Sequence, residues 1–173
     1  MGESFITVVV IFLAATLMFV FPMMAVADRN DDLSQLSIQT ATTEFVDGVR
    51  TTGSLTEEKY DKFVQTIAST GNAYEIDMEI QILDENTSKV SQAEKTKIGE
   101  NTYYSIYTTQ VEEKLEKNGG LTFKEGDIVS VSVKNTNLTI SQSLKNFFYK
   151  VVGNDTYQIA AQHAGIVTVN GTN

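Results

Sequence analysis

The chain predicts an α+β fold: a long N-terminal helix, transmembrane and then amphipathic, packed on a small three-stranded sheet with additional helices. Three observations carry this. Residues 5–27 (FITVVVIFLAATLMFVFPMMAVA) contain no charge. Residues 31–50 repeat apolar side chains at helical spacing. Beyond them, strand-like runs alternate with helical ones, the arrangement of a sheet covered by helices.

The apolar run is long enough to cross a bilayer as one helix, which needs about 20 residues. Phe5, Val10, Leu13, Ala14, Ala15, Phe19 and Pro22 are the candidate membrane-spanning positions. Ala14-Ala15 is a small-residue patch that suits close helix–helix approach. A competing reading is a cleaved signal peptide, because Ala25-Val26-Ala27 forms an A-x-A pattern before Asp28. The protein would then be secreted, starting at Asp28. Against this, the four residues before the run carry no Lys or Arg, and the run exceeds the usual signal core. A buried helix of a soluble domain is a third reading. With the anchor retained, the chain divides into a helix at 1–27, its amphipathic continuation at 28–53 and an extracytoplasmic head at 54–173. The protein is then a single-pass membrane protein.

Residues 31–50 place Leu33, Leu36, Ile38, Ala41, Phe45, Val46 and Val49 on one broad side. Asp28, Arg29, Asp31 and Asp32 form a charged collar between the two halves. Gly53 stops the helix. Ser54 and Glu57 match a capping box for a second helix carrying Tyr60, Phe63, Val64 and Ile67. Residues 73–83 are a strand, with Tyr74, Ile76, Met78, Ile80 and Ile82 alternating against Glu75, Asp77, Glu79 and Gln81. Same-face acids on a strand stand about 7 Å apart, too far to hold one cation unaided.

Residues 84–101 lack periodicity and read as a long loop, the best candidate for a partner-facing surface. Asn86, Lys89, Lys95 and Lys97 are its candidate contact residues, joined by Tyr104 and Tyr149 elsewhere. Residues 102–117 have the spacing of a helix with Tyr103, Tyr107, Val111 and Leu115 inward. Residues 127–134 are a second strand with Val129, Val131 and Val133 inward. Residues 141–151 predict a short amphipathic helix with Leu144, Phe147, Phe148 and Val151. Residues 157–164 and 166–169 form a last extended segment, with a bulge expected at Gly165.

An apolar helix running straight into an amphipathic one, under a small α+β head, resembles the plan of pilins and pseudopilins. The opening, through the collar to Arg50, also resembles that of membrane proteins encoded near Tad-type (Flp-type) pilus assembly genes in Gram-positive bacteria. The likeness is architectural. The prepilin signature, a glycine cleavage site before a run bearing one Glu, is not met: Gly2 precedes Glu3, and residues 5–27 contain no acid. The resemblance implies a pilin-like fold and the role of a minor pilin or Tad-associated component. Its partners would be membrane lipid, other envelope or pilus-assembly proteins, and further copies meeting through the N-terminal helix.

No sequence feature points to an enzyme, a metal or a cofactor. The 173 residues include no cysteine, so disulfides and thiol chemistry are excluded. The 22 acids outnumber the 13 bases, and a net charge of −9 disfavours nucleic acid as a partner. His163 is the only histidine and has no acid beside it in sequence. No G-x-S-x-G or phosphate loop occurs, and Gly119, Gly120 and Gly126 read as cap and turn. The expected function is a non-enzymatic structural or assembly component of the envelope. The alternative is a secreted or anchored module that binds a small molecule, peptide or wall polymer.

Overall fold

A computed structural model of the chain describes residues 2–84, 102–149 and 158–171. One helix, α1 (Gly2–Thr52), runs unbroken for 51 residues, about 75 Å at 1.5 Å per residue. After it come β1 (Ser54–Thr56), α2 (Glu57–Ala68), β2 (Tyr74–Asp84), β3 (Thr102–Tyr107) and α3 (Thr108–Asn118). β4 (Gly120–Thr122), β5 (Ile128–Asn135), α4 (Ile140–Tyr149) and β6 (Ala160–Ile166) complete the order. Four strands form an antiparallel sheet in the order β3-β2-β5-β6, and β1 pairs with β4 in a separate ribbon. The α+β class and the long first helix are therefore present, but the sheet count differs from the expected three strands.

The extra strands have physical causes. Residues 102–107 are strand rather than the first turns of a helix. Thr, Tyr and Ile suit a pleated surface, and the segment pairs with β2 from Glu79↔Tyr107 to Asp84↔Thr102. Tyr103 and Tyr107 are consequently exposed, whereas Ile106 enters the core. Val111 and Leu115 do face inward, from α3. β1 and β4 have three residues each and are too short to show a period.

The upper half of α1 covers the sheet. Ile38, Ala41, Phe45, Val46 and Val49 are buried with Met78, Ile80, Val129, Val131, Val133 and Ala161. Leu33 and Leu36 do not belong to this face. They are about 60% exposed, at 58% and 61%, because a step of 100° per residue carries them to the opposite side from Ile38. Phe45 stacks on Phe63 of α2 with ring centroids 4.4 Å apart. Tyr60 donates to Glu112 Oε1 at 2.7 Å, joining α2 to α3. Burial and the Glu112 carboxylate both push the Tyr60 phenol well above its usual range.

Two local expectations are corrected. Thr56, not Ser54, caps α2: its hydroxyl accepts from Lys59 N at 3.3 Å, while Ser54 pairs with Thr122 in the ribbon. Gly165 makes no bulge, since it pairs one-to-one with Val129 in an uninterrupted ladder. Its missing side chain serves another purpose. A Cβ there would lie 2.9 Å from Arg50 Cδ, so Gly165 makes room for α1 to lie on the strand.

Gly53 ends the spine in the left-handed region, with φ +62°. Its carbonyl accepts from Phe123 N at 2.7 Å, and its amide donates to Val49 O at 2.8 Å. A Cβ would sit 2.3 Å from Val169 O. Gly53→Ala is expected to destabilise the chain by about 2 kcal/mol or more, from positive-φ strain plus the backbone clash. Urea unfolding of the full chain in detergent checks this; a loss below about 0.5 kcal/mol, the range of an ordinary surface change, would contradict it.

Candidate membrane junction

The most apolar window of α1 has a mean hydropathy of 2.7, and none of it is buried against the rest of the chain. This is not the core helix of a soluble domain. Phe5, Val10, Leu13, Ala14, Ala15, Phe19 and Pro22 all lie exposed on the bare half. The run's two threonines hide their polarity locally. Thr7 donates to Glu3 O at 2.9 Å, and Thr16 to Phe12 O at 2.8 Å, which suits a helix without water beside it. Pro22 lies inside the helix and supplies no amide for the preceding turn.

The head begins where the apolar run stops. Asp28 and Asp31 lie one turn apart on α1, and both reach the start of α4. Asp31 is 5% exposed, and its Oδ2 accepts from Thr139 Oγ1 at 2.6 Å. Asp28 Oδ1 accepts from Ser141 Oγ and pairs with Lys145 Nζ at 2.7 Å. These bonds hold the Asp28 carboxyl below its usual range, Lys145 first and Ser141 second. Ser34 closes the turn by donating to Asn30 O at 2.9 Å.

Thr139 does two jobs. As the N-terminal cap of α4, its hydroxyl accepts from Gln142 N at 3.1 Å, while Gln142 Oε1 accepts from Thr139 N at 3.1 Å. This is a reciprocal capping box. The hydroxyl proton remains free to go to Asp31. The Thr-Ile-Ser-Gln pattern at 139–142 carries the capping signal, and it sets the helix start earlier than residue 141. The pairing of that cap with a carboxylate more than 100 residues away has no local signal.

Above the collar α1 is tied to the edge strand at both ends. Gln35 acts as a strand neighbour for β6: Nε2 donates to Ala160 O at 2.6 Å, and Oε1 accepts from Ala160 N at 3.0 Å. At the far end Arg50 O accepts from Thr168 N at 3.0 Å. Between them Asp47 Oδ1 pairs with Arg50 Nη1 at 3.1 Å and lies 3.5 Å from His163 Nε2. The fold thus gives His163 the acid that its sequence neighbours do not. Arg50 Nε and His163 Nε2 are buried without a hydrogen-bond partner. No cluster of three or more His, Asp or Glu that could hold a metal ion occurs among the described residues.

The other candidate residues do not gather at the junction. Tyr104 is exposed on β3, an edge strand, rather than on a helix. Tyr149 is the last residue of α4, and its side chain is outside the described ones. Asn86, Lys89, Lys95 and Lys97 lie outside the described residues. Ala25, Ala27 and Asp28 continue the helix without a break, and Asp28 itself contacts the head.

Two outcomes are expected here. Thr139→Val removes the cap and strands the buried Asp31 carboxylate, for a combined loss of about 2–3 kcal/mol. Thr139→Ser keeps both bonds and should stay close to the parent; equal losses in the two variants would refute the assignment. Since the folded Asp28 pKa is depressed, its stabilisation is complete above the ordinary carboxylate range and is lost as pH falls through the lowered value. Lys145→Met should flatten that acid limb of the stability profile, measured by thermal unfolding across acidic pH.

No protein-family model, curated protein or solved structure matches the chain.

Proposed function

We propose that the protein is a non-enzymatic structural or assembly component of a bacterial envelope machine, anchored in the membrane by the lower half of α1, with the head outside. The observation that carries this reading is the division of one unbroken helix into a bare apolar half and a half whose inner face packs on the head. A secreted module starting at Asp28 would lack the bare half. The bare surface also continues past the collar. Leu33 and Leu36 extend it on the side facing away from the sheet, in line with Val26 and Ala15 by helical spacing. A neighbouring helix laid along Ala15, Val26, Leu33 and Leu36 would bury apolar area both in lipid and above it. The resemblance of the opening to Tad-associated proteins supports a pilus-like machine as the setting, with a minor pilin or assembly factor as the role.

The cysteine-free chain makes the test direct. Ala15→Cys and Leu36→Cys should each give disulfide-linked homodimers in isolated membranes under mild oxidation, whereas Glu116→Cys on α3 should not. Cross-linking equal in all three, or in none, would refute lateral assembly through α1. Mass spectrometry of the mature N-terminus tests the anchor separately. A chain starting at Asp28 would remove the anchor and the spine together.

A further inference from the structure

The first turn of α4 is built differently from α2 and α3. α2 buries Phe63 and Ile67, and α3 buries Val111 and Leu115. Among the described side chains of α4 the buried ones are Ser141 and Gln142, and Lys145 also turns inward to Asp28. Ile140 at the start of α4 is 67% exposed and Leu138 just before it is 66% exposed, whereas Leu144 one turn on is half-buried. The start of the helix docks on α1 through polar contacts and leaves Leu138 and Ile140 exposed.

These two side chains lie at the base of the head. Leu138 and Ile140 flank Thr139, which is bonded to Asp31, and Ser141 is bonded to Asp28. Both exposed side chains are thereby held beside the first turn after the apolar run. Ile166, also exposed, belongs to the far end of the sheet, next to the Arg50–Thr168 tie. In a head of net acidic chain, charge does not draw this corner to a bilayer; apolar contact does.

We infer that Leu138 and Ile140 form a foot that inserts into the interfacial layer of the outer leaflet, giving the head a second membrane contact beside the span. This rests on the proposed anchoring by α1. The occupant is the boundary between headgroups and acyl chains, where apolar side chains of a surface helix penetrate roughly 5–10 Å. With the span and the foot both seated, the head has a fixed tilt and a fixed rotation about the α1 axis.

The test uses the full chain in phosphatidylcholine nanodiscs loaded with one chain per disc. Single cysteines at Phe12, Leu138, Ile140 and Ile166 carry an environment-sensitive fluorophore. Labels at 138 and 140 should be quenched by spin-labelled lipid and be about threefold less accessible to aqueous acrylamide than the label at 166, as interfacial seating requires. Position 12 should be shielded throughout. If 138 and 140 match 166 while 12 is shielded, the foot is refuted and the anchor stands. If 12 is also water-accessible, the anchor itself fails and takes the foot with it. Shielding at 138 and 140 that appears only with several chains per disc would assign the surface to a second copy and overturn the lipid assignment.

Discussion

A buried carboxylate governs how this protein joins its two halves. Asp31 sits almost fully out of water at the base of the head, where an unpaired polar group is costly. Its hydrogen bond from Thr139 answers that cost only if α4 begins where it does. The same hydroxyl starts α4 through the capping box, so the start of one helix and the docking of another are a single arrangement. The Asp28 contacts then align α4 one turn lower. Remove the Thr139 hydroxyl and the corner loses its cap and its tie to Asp31 together.

The sheet depends on the same spine. α1 lies over β5 and β6, and the aliphatic residues from Ile38 to Val49 supply one layer of the core. Apolar burial holds the layers together but does not set their register, since it is not directional. The register comes from Gln35 pairing with Ala160 and from the Arg50 carbonyl receiving Thr168. Two polar ties, four helical turns apart, keep helix and strand parallel. Gly53 then reverses the chain where only a positive φ and no side chain fit.

What was legible in the sequence follows interaction range. The bare helix, the inward faces of β2 and β5 and the stop at Gly53 are written in local periodicity and single-residue geometry. Leu33 and Leu36 misled because an apolar stripe does not say whether a head, a lipid or another helix will cover it. Residues 102–107 misled because tyrosines four apart fit a helix, while their pairing with β2 spans a long insertion. The collar was legible as charge but not as a joint: Asp31 looks like a solvated acid until Thr139 arrives from the far side of the chain. The partner-facing loop at 84–101 falls almost wholly outside the described residues, so the candidate site rests on the junction instead.

The joint has a mechanical consequence. Residues 5–27 extend about 34 Å as a helix, slightly more than the roughly 30 Å hydrocarbon thickness, so in the proposed anchor Asp28 would emerge at the water boundary with little to spare. No linker separates the apolar run from the head, because the next residues are already bonded to α4. A flexible tether would let the head turn freely whatever the span did. Here a rotation of α1 about its axis must carry the sheet with it, and packing between neighbouring spans would set the facing of neighbouring heads. In an assembly of such chains, the geometry chosen in the membrane is the geometry displayed outside it.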